Sequence, residues 1–295
     1  MSNKEILFKL YKKLLGFGNN QHGVGIGKNP AVKKLLKTTK SALRPESCYV
    51  LDHKMYLDKF DSLDLSINGI YGSFETELVK NYIKPGDVVL DIGAHIGYFT
   101  LILAKAVGDD GLVFAFEPEP KNFELLSKNI KENDYKNVEL TNKAVSNKNE
   151  KCLLYVGQKS SGANRIYEPK KSLSQKFETI TTETIVLDEF FKNNKSMNKI
   201  RFIKMDMEGS EFKALQGMLS ILHSNKPLTI FTEFDPPSIE DSGSTTSEFL
   251  KFLKNENFDI YEIDDSNRKI IPIDVNNYIK TNFKNKTINL LCKKL

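Results

Sequence analysis

Apolar positions along the chain follow two patterns. Short, mostly apolar runs, among them Val88–Ile92 (VVLDI), Leu112–Phe116 (LVFAF), Val138–Leu140, Phe202–Met205 and Leu228–Thr232, lie between segments with recurring apolar spacing. Such a run suits a strand buried on both faces, as in a parallel sheet. After the first run Phe99, Leu101, Ile102, Leu103 and Ala106 predict a helix that stops at Gly108. After the second, Phe123, Leu126 and Ile130 predict one running to about Asn133; after the fourth, Phe212, Leu215 and Met218 or Leu219 line a third. Strand and helix thus alternate, and the expected class is α/β with helices on both faces of a mostly parallel sheet.

Elsewhere the alternation lapses. Lys151–Val156 and Thr179–Leu187 read as strands around a polar loop, 157–176, of a length usually reserved for functional or disordered segments. Within it Ser160, Ser161, Asn164 and Arg165 are candidate contacts to a ligand, or an ordinary surface loop. The helix 248–255, the strand Ile260–Ile263 and a last strand Thr287–Cys292 complete the predicted sheet. Near the start, Tyr49–Leu51 and Lys54–Leu57 suggest two short strands, and 71–83 a helix before the turn Lys84-Pro85-Gly86. The expected organisation is a basic helix and linker at 1–45, a small cap at 46–84 and the main domain at 85–295.

Chemistry concentrates where strands become helices. Asp91-x-Gly93-x-x-x-Gly97 occupies the first such turn. Glycine there allows a tight turn and close approach of a ligand, with free N–H groups at the helix start facing it. The spacing lacks the middle glycine of a dinucleotide fingerprint, and an acid at a strand end repels a diphosphate but accepts from an ammonium. Glu117 ends the second strand, where a Rossmann-like unit carries the acid that grips a ribose diol. Asp206, Glu208 and Glu211 follow the Phe202–Met205 strand, with Ser210 as the expected helix N-cap, and Glu233 ends the Leu228–Thr232 strand. Asp206, Glu208 or Glu233 can take a proton from an acceptor or hold it; the three together can alternatively bind a divalent cation, although no metal site is assigned. His95 is either a base or a packing residue. Phe234-Asp235-Pro236-Pro237 is read as a rigid exit into a substrate loop, 235–247.

The strings VVLDIGAHIGYFT, FAFEPEP, NKAVS and IKMDMEGSEFKALQGM, in that order, resemble the FkbM-type S-adenosylmethionine-dependent methyltransferases, from about Ser66 to Phe234. The resemblance implies a Rossmann-like class I methyltransferase fold: seven strands ordered 3-2-1-4-5-7-6, the seventh antiparallel. It also implies S-adenosylmethionine as cofactor and methyl transfer to a hydroxyl of a small molecule or glycan. Glu75 would then reach the methionine end, although a first-turn acid also suits the helix dipole. The set expected to hold the cofactor is Glu75, Asp91, Gly93, Ala94, His95, Gly97, Tyr98, Glu117, Pro118, Ala144 and Asp206. Alternatives are an RNA methyltransferase and a methyltransferase-fold module that binds without catalysis.

Composition changes this picture only at the N-terminus. Residues 1–44 hold ten Lys or Arg and one acid, Glu5, a net +9; the whole chain is +5, which leaves −4 for the rest. The predicted domain thus has no whole-domain charge signature for nucleic acid. Ile6, Leu7, Leu10, Leu14 and Phe17 form an apolar helical stripe among lysines, followed by the glycine-rich break 16–30. Such a helix either lies on an anionic membrane surface or packs on the domain or a second subunit. Three scattered cysteines, no membrane-length apolar run and no leader-like start suggest a reduced cytoplasmic enzyme.

Overall fold

A computed structural model describes residues 6–13, 38–40, 42–170, 176–280 and 286–295. The chain divides into two compact units, Met1–Tyr71 and Gly72–Leu295.

In the first unit β1 (Ser47–Val50) and β2 (His53–Tyr56) form an antiparallel hairpin, and a short helix spans Leu65–Asn68. Lys40 donates to the Asp61 carbonyl at 2.7 Å, and Asp61 takes a hydrogen bond from the Ser66 hydroxyl. Helix 6–13 buries Phe8 and Tyr11 and leaves Ile6, Leu7 and Leu10 exposed. The predicted stripe is therefore not the packed face: the two aromatic residues, offset around the helix, offer more area to bury. Leu14, Phe17 and the glycine-rich break lie outside the described residues.

The second unit is built on an eight-stranded sheet. Its strands are β3 (Val88–Ile92), β4 (Leu112–Phe116), β5 (Val138–Thr141), β9 (Ile200–Met205), β10 (Leu228–Phe234), β11 (Asp259–Asp264), β12 (Lys269–Pro272) and β13 (Ile288–Lys294), in the order β5-β4-β3-β9-β10-β13-β11-β12. The strands β5 to β10 pair in parallel, and β13 runs antiparallel to both its neighbours. This is the expected class I order with one strand added: β12 folds back on β11 after a turn at 265–268 and makes an eighth edge strand. A second sheet, β6-β8-β7, gathers β6 (Ala144–Val145), β7 (Lys151–Gly157) and β8 (Phe177–Ile185).

Every residue of β3 is buried, Asp91 with its apolar neighbours, and Leu101, Leu103 and Ala104 of the helix Tyr98–Val107 are fully covered. Phe114 packs edge-on against Phe191 with ring centroids 4.8 Å apart. The predicted third helix is two short ones, Glu211–Gln216 and Leu219–Ser224; between them lies Gly217, where a Cβ would sit 2.2 Å from the Ser146 carbonyl oxygen. The expected substrate loop after Phe234 starts instead as a helix, Pro236–Asp241: Asp235 caps it by accepting from the Ser238 amide, and proline suits the first turn.

Candidate functional site

Strand register assembles the site. Ile92 aligns with Phe116 on β4 and with Met205 on β9, and Met205 aligns with Thr232 on β10. The next residues, Glu117, Gly93, Asp206 and Glu233, therefore form one row along the carboxyl ends of four adjacent strands. The row extends onto β13, where Asn289 opposes Glu233. From β3 the connections lead to β4 and β5 on one side and β9 and β10 on the other, so the row crosses the reversal point where open α/β sheets bind ligands. Two residues back, on the same face, Asp91 aligns with Lys204.

The glycine turn is a close fit. Gly93 has φ 79° and a Cβ there would lie 1.9 Å from the Asp206 carbonyl oxygen, so only glycine lets β3 and β9 exit side by side. The amides of the turn ahead of the helix are used within the fold. Those of Gly93 and Ala94 donate to the Phe116 carbonyl at 2.9 and 3.0 Å, and that of His95 donates to Glu117 at 2.9 Å. They tie the turn to the β4 tip. His95, at φ 52°, contacts the Ser161 hydroxyl through Nε2 at 2.6 Å, and the Asn122 side-chain amide donates to the Ser161 carbonyl at 2.9 Å. The loop after β7 is thus bonded to the glycine turn.

Two buried acids lie on β3 and at the end of β4. Glu117 accepts from the amides of His95 and Glu119, one on each oxygen. Burial pushes its carboxyl up to about 7 against the pull of those donors. Asp91 accepts from the Thr100 hydroxyl at 2.6 Å on one oxygen; its other oxygen has no hydrogen-bond partner, with the Lys204 ammonium 4.0 Å away. Burial raises Asp91, opposed by Lys204 and Thr100.

Lys204 itself is buried, sits 3.5 Å from Asp206 and lies over the Phe99 ring at 4.9 Å. Burial alone would lower it, but Asp206 and Asp91 together hold it above its usual range. Glu75 is bonded to Asn289 and lies close enough to Asp206 and Lys204 to feel their charge; burial raises it. Tyr98 bonds Thr76 at 2.9 Å and so joins two helices, Pro118 offers its carbonyl to Asn142 at 3.2 Å, and Ala144 is buried on β6 beside Thr184.

Beyond the row, Asp206-Met207-Glu208-Gly209 makes a strained turn. Glu208 has φ 55°, and a Cβ on Gly209 (φ 100°) would fall 2.4 Å from the Ser238 carbonyl oxygen. Arg165 holds the Glu208 carboxylate at 2.8 Å, and the Tyr167 hydroxyl donates to the Glu208 carbonyl at 2.6 Å. Glu208 stays 27 % exposed, so a ligand can still reach it, yet burial and then Asp206 push it up to about 8 against Arg165. Glu211 is fully covered, accepts from the Met207 amide at 2.7 Å and is pushed by burial up to about 7. Glu233 is held well above the ordinary carboxylate range, by burial first and then by Asp206, Glu211 and Glu208. Ser210 occupies the N-cap position, but its backbone (φ −94°, ψ 6°) is not the extended one that a side-chain cap needs, and its hydroxyl is buried without a partner. Among the described residues no three His, Cys, Asp or Glu side chains are grouped to hold a metal ion.

The residues sequence reasoning passed over are Lys204, Tyr167, Asn122 and Asn289. Lys204 alone carried a signal: a lysine between buried Ile203 and Met205 must find a charge partner inside the sheet.

The site suits a ligand with a positive amino-acid end and a diol. Asp91 offers an unbonded buried oxygen, burial and then neighbouring carboxylates raise Glu233, and both Glu117 oxygens retain lone pairs for hydroxyl donors.

A family model described as the methyltransferase FkbM domain matches residues 91–260. The chain is similar to the hexuronic acid methyltransferase AglP of Haloferax volcanii, 26 % identical over 192 residues that cover 61 % of this chain and 72 % of that protein. Among solved structures, methyltransferase FkbM from Methylobacillus flagellatus is 14 % identical, covering 88 % of this chain and 59 % of that one, with a TM-score of 0.42. TYW2 of M. jannaschii, solved in complex with AdoMet, is 15 % identical, covering 84 % and 83 %, with a TM-score of 0.43.

Proposed function

The chain belongs to the methyltransferase FkbM domain family and its cofactor is S-adenosylmethionine; from that premise we propose that it methylates a hydroxyl of a small molecule or glycan, with Glu208 as proton acceptor. The observation that carries this reading is the carboxyl-edge row Glu117–Gly93–Asp206–Glu233, with Glu208 just beyond it on a turn held by Arg165 and Tyr167.

When bound, the cofactor supplies an electrophilic methyl on a sulfonium. Glu117 would take the ribose hydroxyls, and Asp91, Asp206 and Glu75 would offer negative charge to the amino-acid end; Gly93, Ala94, Gly97, His95, Tyr98, Pro118 and Ala144 complete the set proposed to hold the cofactor. Methyl transfer is an in-line displacement, so the protein's work is alignment and removal of the acceptor proton. A base is most effective when its pKa lies near the working pH, and Glu208, pushed up to about 8, meets that condition. Arg165 fixes the direction of its carboxylate. Glu233, raised by burial and by the neighbouring acids, is the second carboxyl on this rim and would hold the acceptor hydroxyl by a hydrogen bond. The activity named for the Haloferax relative supports a sugar acceptor.

Methyl-labelled S-adenosylmethionine offered with neutral sugars, uronic acids, oligosaccharides and RNA tests the proposal. Label in an alkali-stable ether on a sugar or other small hydroxyl compound is the expected result. Label appearing in RNA alone, or full turnover by Glu208→Gln, overturns it.

A further inference from the structure

The N-terminal helix carries a surface that methyl transfer does not use. At about 100° per residue, Ile6, Leu10 and Leu7 share one arc of helix 6–13, and they are 44, 53 and 51 % exposed. Phe8 and Tyr11 occupy the neighbouring arc and are buried; burial raises the Tyr11 hydroxyl pKa, with Lys40 and Asp64 of the same unit close enough to act on it. The helix is thus already seated through its aromatic residues, and its aliphatic arc is left over. Lys12, Lys9 and Lys13 take the remaining side, and Lys13 borders Ile6. Residues 6–13 contain no acid, and residues 1–44 carry the net +9.

We propose that this face docks the protein on an anionic phospholipid surface, with Ile6, Leu7 and Leu10 entering the headgroup boundary and the lysines facing lipid phosphates and carboxylates. Two features select lipid over other occupants. Tracking a nucleic-acid backbone needs the lysines but has no use for three exposed aliphatic side chains. Pairing with a second copy through the same helix would bring like charges together, whereas an anionic bilayer satisfies the apolar arc and the charge at once. An enzyme held this way would meet acceptors presented at a membrane, but the inference stands apart from the reaction assigned above.

The experiment is co-sedimentation of the full-length protein with phosphatidylcholine vesicles, with and without phosphatidylserine, at low and high salt. Binding is expected only with phosphatidylserine and should fall as salt rises. Lys9→Glu/Lys12→Glu/Lys13→Glu should reduce partitioning by at least roughly fivefold per lysine, on the order of a hundredfold in all. Leu7→Ser/Leu10→Ser should weaken it about tenfold or more. Both variants alter exposed positions, and an unchanged melting temperature identifies loss of docking rather than of fold. Absence of wild-type binding to phosphatidylserine vesicles overturns the proposal, as does binding that Leu7→Ser/Leu10→Ser leaves intact. Dissociation of an oligomer by that variant would assign the face to a second copy. Salt-sensitive binding to RNA without vesicle binding would assign the tail to nucleic acid.

Discussion

The two ends of the acid row are built differently. On the cofactor side Glu117 is gripped by two backbone amides and Asp91 by a helix hydroxyl, so both are held by parts of the fold that cannot move independently. On the acceptor side Glu208 is held by an arginine from a loop, sits in a left-handed backbone, and faces Asp206 and Glu233 across the same rim. Backbone donors give a rigid receptor for a ligand that never varies. Side-chain partners and mutual repulsion give carboxylates whose protonation can change during a reaction. The difference supports the proposed division, in which the first half binds and the second does the chemistry.

The most drastic way to break this contrast is at the seam between the halves. Gly93→Ala would drive a Cβ to 1.9 Å from the Asp206 carbonyl oxygen at a φ of 79°. Since both atoms belong to backbone of packed strands, the expected loss is on the order of 4 kcal/mol or more of stability. Thermal unfolding measures it, and a variant melting like the parent would mean the turn is looser than described.

Glu208→Gln sharpens the contrast from the acceptor side. It should fold and bind S-adenosylmethionine normally while turnover falls by about 10²- to 10⁴-fold, the usual range for losing a general base. Weakened cofactor affinity in calorimetry would instead assign Glu208 to the binding half. The complementary change, Glu117→Ala, should weaken cofactor binding by about 1–3 kcal/mol, the cost of leaving buried donors without an acceptor. An unaltered dissociation constant would put the ribose elsewhere.

A last effect is on stability against pH. Glu117 and Glu211 rise from an ordinary 4.5 to about 7 in the folded protein because they are buried. Between those values the folded state holds protons that the unfolded state has released, so stability falls as pH rises from about 4.5 to 7, by at most about 1.4 kcal/mol per unit for each group. Below that window both states are protonated and the contribution is constant. Melting temperatures taken from pH 5 to 8 should show the decline, reduced in Glu117→Gln and Glu211→Gln. A stability that climbs with pH in both parent and variants would contradict the assigned burial.

Legibility followed the range of the interactions. The glycine turn, Glu117 and the Asp206–Glu208 pair were readable because each lies at a strand end announced by an apolar run, and strand, turn and helix are neighbours in sequence. Asp235-Pro236-Pro237 misled for the same reason in reverse: proline fits a strand exit and a first helical turn equally well, and only the Asp235 bond to the Ser238 amide separates them. The apolar stripe through Ile6, Leu7 and Leu10 is not the face that packs within the unit, since period alone cannot say which of two apolar arcs finds a partner.

Taken alone, the order of apolar runs and the glycine spacing determined an α/β sheet with a tight glycine turn at its carboxyl edge, because burial of apolar strands and the φ of a tight turn are local demands. Tertiary structure alone decided that Glu117, Gly93, Asp206 and Glu233 share one row, that Lys204 lies beside Asp91, and that Arg165 reaches Glu208 from 43 positions away. Parallel register and the partner of a buried charge depend on segments that meet only when the sheet closes, and one chain read in order holds no record of which strands become neighbours.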